Sequence, residues 1–310
     1  MMKTLLDWEP YKPFTVGFDT IMDRLLEIDT AIPNYPSGKT YDGYDNKFRS
    51  WENIENIKVL RVWTFMAENK GTFKRTIDYI SYSITSFINA FFVEKPDVVI
   101  STSPHIFTPI GAIFYSIFRN IPHVVEIRDL WPESIAATTN VKKDSFIYKI
   151  FTYIENFIYK RANNIILLTN AFKKNLLKKG ISNKKLHVVI NGANINLFKR
   201  YKYDEKLAED LGLNGKFVIA YFGTHGLAHN LLNSIHAAKI VENEDIHLLF
   251  IGEGAEKTSM INAVDKLKIT NVHFIDRKPR TELAKYWSIA DAGLVHLKND
   301  PTFETVIPSK

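Results

Sequence analysis

The stretch VIAYFGTHGLAHN (218–230) decides how this chain is read. Val218 to Phe222 is an apolar run rich in β-branched and aromatic residues, Gly223 and Gly226 follow at once, and Leu231 opens a helical pattern. A buried strand that turns through glycine into a helix is the corner of a parallel α/β sheet. The same rhythm recurs on either side. Downstream it predicts strands at 246–251, 272–275 and 292–296 and helices at 231–241, 255–267 and 280–290, with the first strand at 216–222. Upstream, beyond a charged stretch at 199–210, it predicts strands at 57–62, 97–101, 123–128, 164–168 and 186–190. Helices at 73–93, 107–119, 145–161 and 171–179 separate them. The expectation is two doubly wound α/β domains, 1–200 and 201–310, with their ligand crevices facing one another across a cleft. The second has about four strands where such sheets commonly have five or six, so it is expected to be incomplete and cut at its C-terminus.

Composition narrows the function. Of 310 residues, 45% are hydrophobic, 13% aromatic and 24% charged, the balance of a folded chain with packed cores. Cysteine is absent, which removes disulfides, thiolate nucleophiles and thiolate-bound zinc, and fits a reducing cytoplasm. No secretory signal is read at the N-terminus. The most apolar run, 106–118, is shorter than the roughly 18 to 20 residues that cross a bilayer, and Pro109, Gly111 and Ser116 interrupt it. Charge is one-sided: 1–200 carries 27 Lys+Arg against 19 Asp+Glu, or +8, while 201–310 carries 13 against 15, or −2. Such an excess suits an anionic partner, and ordinary solvated lysines explain any single run equally well. The lysine pairs at 142/143, 173/174, 178/179 and 184/185 belong to that second reading.

Three segments carry candidate chemistry. EIRDLWPES (126–134) sets ionisable residues at the exit of a buried strand, where open α/β sheets bind ligands. Arg128 offers a planar fork for phosphate or carboxylate and Asp129 a partner for it or for a sugar hydroxyl; a strand-end salt bridge has equal weight. The turn after the 216–222 strand is expected to leave backbone N–H groups of Gly223, Thr224 and Gly226 for a diphosphate, with His225 and His229 as donors to its oxygens. Their HxxxH spacing lacks the glutamate of a metalloprotease helix, so no metal site is predicted. A second turn, IGEGAEK (251–257), brings Gly252, Glu253 and Gly254 to the neighbouring strand end, where the pair of turns is expected to hold a nucleotide sugar. The loop at 276–280 is a candidate wall of the base pocket. Tyr79, Tyr82, Phe87, Phe91 and Phe92, following Lys70, Lys74 and Arg75, suit an interfacial helix on anionic lipid or an ordinary core helix.

Taken together, IPNYPSGKTYDGY (32–44), RVWT (61–64), STSP (101–104), RDLWPES (128–134), NGA (191–193), GTHGLAH (223–229), GEG (252–254) and TVIPSK (305–310) resemble bacterial glycosyltransferases of family 4, in the subgroup that builds O-antigen and capsule repeat units. The resemblance implies a GT-B fold, with two Rossmann-like domains, a nucleotide-sugar donor held by the C-terminal one and a lipid-linked saccharide acceptor on the N-terminal side. It implies retaining, metal-independent transfer at the inner face of the cell membrane, with no cofactor beyond the donor and no nucleic acid partner. Arg128 and Asp129 then take the place of the catalytic basic and acidic pair. Residues 223–229 take the diphosphate loop, Glu304 lies near the first acid of a paired-glutamate motif, and Lys310 stands for a lysine near the donor phosphates. Two departures accompany it: 1–30 shows no glycine-rich acceptor loop, and the chain stops at Lys310 before the second glutamate. A sugar-nucleotide epimerase of similar architecture and an inactive transferase fragment are the alternatives.

Overall fold

In a computed structural model of the chain, the structure describes residues 14–16, 40, 44–54, 57–67, 72–103, 105–138, 141–192, 199 and 201–308. Residues 32–39, 41–43, Pro104, Ala193, Ser309 and Lys310, which carry parts of the resemblance, lie outside the described residues. The chain divides into two units, Met1–Ile190 and Asn191–Lys310.

The first unit is built on a parallel sheet of β1 (Phe14–Val16), β4 (Val99–Thr102), β5 (His123–Ile127), β6 (Asn164–Leu167) and β7 (Leu186–Val188), in that spatial order. Each added strand lies on the same side of the last, so right-handed crossovers bring the connecting helices to one face. They are α1 (Thr72–Ala90), α2 (Phe107–Arg119), the short α3 (Glu133–Thr138), α4 (Phe146–Arg161) and α5 (Asn170–Lys178). Two expectations are corrected here. No strand was expected before residue 57, yet Phe14–Val16 pairs in register with Val99, Ile100 and Ser101. The 57–62 strand, in turn, is not in the parallel sheet: as β3 (Ile57–Val62) it forms a separate antiparallel hairpin with β2 (Arg49–Ile54). Its alternation is real, but periodicity reports a strand and not its partner.

Local chemistry explains the helices. Ser145 accepts a hydrogen bond from the Tyr148 N–H at the start of α4, and Thr169 does the same for Phe172 at the start of α5. Lys160 and Arg161 sit in the last turn of α4, where they complement its dipole. Gly111 lets α2 approach α1, since a β-carbon there would stand 3.2 Å from the Ser83 carbonyl oxygen.

The second unit follows a short helix, α6 (Glu205–Asp210). Its parallel sheet has the order β10 (Val272–Ile275), β9 (Ile246–Ile251), β8 (Phe217–Phe222), β11 (Ala292–Gly293). Helices α7 (Leu232–Ile240), α8 (Lys257–Leu267) and α9 (Arg280–Ser288) connect them. Both faces are buried. Val218, Ala220, Phe222, Leu249 and Ile251 pack on one side with Ala208, Leu213 and Ile289, while Tyr221, Leu248 and Phe250 pack on the other with Ile235, Ala238 and Met260. The chain runs outward from β8 to β10 and then crosses to the far side of β8, so the strand order reverses between β8 and β11. That reversal opens a crevice at the carboxyl ends of these strands, the usual ligand position in such sheets.

Candidate functional site

The two glycine turns of the second unit do meet, but they meet each other. Gly223 N–H donates to Ile251 O at 3.0 Å, His225 N–H to Glu253 O at 2.8 Å, and Glu256 N–H returns to His225 O at 2.9 Å. Gly252 (φ +147°) and Gly254 (φ +158°) allow this closeness; β-carbons on them would stand 2.0 Å from Gly223 O and 2.4 Å from His225 O. One of the amides expected to hold a diphosphate, that of Gly223, is therefore occupied by a backbone carbonyl, as is the amide of His225, which corrects that expectation for Gly223. Among the described residues, the N–H groups of Thr224, Gly226 and Leu227 have no acceptor, and Thr224 and Leu227 are exposed.

The two histidines separate. His225 is 0% exposed and its ring lies 5.8 Å from Tyr221, 6.1 Å from Phe250 and 6.5 Å from Phe274, so it is a core residue beneath the turn. Its expected role as a donor to phosphate is corrected, because a fully buried ring among aromatics cannot reach a surface anion. His229 lies instead at the rim of the β8/β11 crevice. Its Nδ1 is 3.3 Å from His296 O, and His296 Nδ1 is 2.6 Å from His229 O. Lys298 N–H donates to Ala228 O at 2.8 Å and closes the same turn. The HxxxH spacing thus does not converge, and no group of three potential metal ligands occurs among the described residues.

Glu253 is held by Lys257, whose Nζ is 2.6 Å from both Glu253 Oε1 and Asp276 Oδ1. Burial works against the Lys257 charge, but the hydrogen bonds it donates to Asp276 and Glu253 outweigh it and raise its pKa. Start of the 276–280 loop and second glycine turn are therefore tied together by this ion triad. Glu304 is exposed on the single 3-10 turn Phe303–Thr305.

In the first unit, Arg128 and Asp129 follow β5 directly. Arg128 N–H donates to Ser103 Oγ at 3.1 Å, and Ser103 N–H donates to Glu126 O at 2.9 Å, which joins the ends of β4 and β5. Glu126 is buried and accepts from Thr102 Oγ1 at 2.8 Å. Burial raises the Asp129 carboxyl above the usual carboxylate range, with the Arg128 charge opposing. Both side chains are half-buried at the strand exit. The RVWT residues do structural work: Arg61, 1% exposed, pairs with Glu52 at 2.6 Å, and Thr64 Oγ1 donates to Asp78 at 2.6 Å. Sequence reasoning missed a half-buried ion cluster at the end of the 126–134 segment, Lys179 with Glu133 and Glu155. The signal was present only as a polar residue inside an apolar helix, at Glu155.

The interfacial reading of α1 also changes. Tyr82 is buried and Tyr79 stacks on His105 at 3.9 Å. Of the expected residues Phe91 and Phe92 are exposed, just past the end of α1, and the exposed stripe on the helix itself is Phe73, Ile77, Ile80, Ile84 and Ile88, at three- and four-residue spacing. No helix among the described residues is long and apolar enough to cross a membrane.

Comparison with known proteins places these features. Residues 48–197 match the Glycosyltransferase Family 4 domain and residues 202–302 match the domain of Glycosyl transferases group 1. A probable glycosyltransferase, WbjE of Pseudomonas aeruginosa, is 25% identical over 189 residues, 60% of this chain and 47% of that protein. The chain therefore spans about half the length of the curated relative it matches. Among solved structures, sucrose-phosphate synthase from Thermosynechococcus elongatus superposes with a TM-score of 0.61 at 14% identity, over 82% of this chain and 63% of that one. Anabaena HepE in complex with UDP-glucose superposes with a TM-score of 0.54 at 14% identity, over 69% and 56%. With two Rossmann-like units of the GT-B type, the chain is built of a Glycosyltransferase Family 4 domain followed by a Glycosyl transferases group 1 domain.

Proposed function

We propose that the chain transfers a sugar, with retention and without a metal ion, from a nucleotide-diphosphate sugar to a lipid-linked saccharide in surface polysaccharide synthesis. The observation that carries this reading is the reversal of strand order at β8/β11, with the turn 224–229 and His296 gathered at the strand ends. A fold neighbour, HepE, holds UDP and UDP-glucose, which supports a nucleotide-sugar donor. The relative WbjE, a probable glycosyltransferase, supports sugar transfer.

Breaking the glycosidic bond places growing negative charge on the departing nucleoside diphosphate. In this reading the N–H groups of Thr224, Gly226 and Leu227 and an imidazolium at His229 receive it, with Lys310 assigned by resemblance alone. Gly223, Gly252, Glu253 and Gly254 shape the turn, and His225 supports it from below. Arg128, Asp129 and Glu304 are the candidate catalytic residues. A raised Asp129 pKa suits a group that exchanges a proton with the incoming hydroxyl.

Calorimetric titration of the chain with UDP, GDP and their sugars tests the reading. Binding of at least one diphosphate, lost when turn residues 224–229 are replaced, is expected. No binding by any of them, or an epimerised nucleotide sugar formed without acceptor, would reject it.

A further inference from the structure

Among the paired lysines, Lys179 is not a solvated side chain. Lys179, which caps α5, places Nζ 2.6 Å from Glu155 Oε2 on α4 and 3.0 Å from Glu133 Oε1 at the start of α3. Tyr159, fully buried, donates to the other Glu155 oxygen at 2.7 Å. Tyr148, also on α4, lies within electrostatic range of all three charges. Three helices thus meet at one ammonium. The second oxygen of Glu133 is buried with no hydrogen-bond partner, which leaves Lys179 as the group that compensates this carboxylate.

Glu133 ends the turn that begins at Arg128. Ser134 donates to Leu130 O through both its N–H, at 2.9 Å, and its hydroxyl, at 2.8 Å, and Ala136 N–H donates to Pro132 O at 3.1 Å, so the first turn of α3 is folded back on this segment. Trp131 in its middle stands edge-on to Phe151 of α4, with centroids 5.5 Å apart. Its start is held by Ser103. Its far end is held by charge, through Lys179.

We propose that Lys179 is a positioning residue: by tying Glu133 to Glu155 it sets where the turn carrying Arg128 and Asp129 stands. The assignment of those two as catalytic rests on the transferase reading above; the anchoring does not. An ion cluster withdrawn from water is a poor source of stability compared with apolar packing, so the value of this half-buried one lies in geometry. Displacement of a reacting group by about 1 Å lowers rates by up to about a hundredfold.

The test uses the full chain and has two arms. Hydrogen–deuterium exchange needs no substrate: Lys179→Met raises exchange at 128–138 while β6 and the second unit keep their wild-type protection, and Lys179→Arg restores it. Unchanged exchange at 128–138, or a uniform rise across the first unit, overturns the proposal. Should Lys179→Met fail to fold, Glu133→Gln is read in the same way. The second arm follows hydrolysis of UDP- and GDP-sugars without acceptor. Here kcat falls about tenfold or more with KM within about twofold, and Lys179→Arg recovers most of it; a change in KM alone overturns positioning. A wild-type chain inert toward every donor sinks the transferase reading, while the exchange arm still decides the anchoring.

Discussion

The His229 ring faces a carbonyl oxygen with Nδ1, and this bond assigns the proton to that nitrogen. Neutral His229 then presents only a lone pair at Nε2, and it can donate to a phosphate oxygen only as imidazolium. His229→Gln is accordingly expected to lower diphosphate affinity about tenfold, because a charge-assisted donor is lost; calorimetry reads it. An unchanged affinity would remove His229 from the site. Gly252 is a second residue whose requirement is steric. Gly252→Ala puts a methyl 2.0 Å from Gly223 O at a φ of +147°, and the backbone must separate the two turns. A loss of about 3 kcal/mol or more in unfolding free energy is expected by denaturant titration. Both histidines and all these glycines stand out in the sequence, yet their tasks do not: which ring enters the core depends on Phe250 and Phe274, which are distant in the chain.

At the scale of elements, the run of Phe73, Ile77, Ile80, Ile84 and Ile88 along α1 leaves apolar side chains in water, Phe73 at 78% and Ile84 at 53% exposure, beside Lys74 and Arg75. An anionic lipid surface satisfies both features at once. The double substitution Ile84→Ser/Ile88→Ser should lower co-sedimentation with anionic vesicles severalfold and leave the thermal midpoint within about 2 °C, since little packing is lost. Equal sedimentation of wild type and variant, or of neutral and anionic vesicles, would argue for another role of the stripe. The helix itself is legible from its 3.6-residue period, as are α2 and α4, and the strands of the second unit are legible as short apolar runs. Which of its apolar stripes is buried is not legible, because both sides of α1 are apolar and only contact with α2 at Gly111 selects one. The hairpin of β2 and β3 shows the same limit for strands.

At the scale of the whole molecule, buried histidines set the response to acid. Burial holds His123 down to about 4, so between pH 6.5 and 4 the unfolded chain binds a proton that the native one refuses. Its contribution is full above about 6.5 and is lost as pH falls toward 4, on the order of 3 kcal/mol. His247 and His273, joined at 2.9 Å in the second unit, are both lowered, mainly by burial, and act in the same direction. Calorimetric unfolding midpoints are expected to fall by several degrees between pH 7 and pH 5, less in His123→Leu; a flat profile would contradict the burial of these rings. Alternation of strand and helix, the glycine corners and the one-sided charge are properties of neighbouring residues, so the chain announces two α/β units before it is folded. Whether an amide meets a ligand or a carbonyl, and whether a lysine meets water or two carboxylates, depends on segments tens of residues apart, such as Gly223 with Ile251 and Glu133 with Lys179. Those pairings exist only once the sheets have brought the strand ends side by side, and they redraw the candidate site within its family frame.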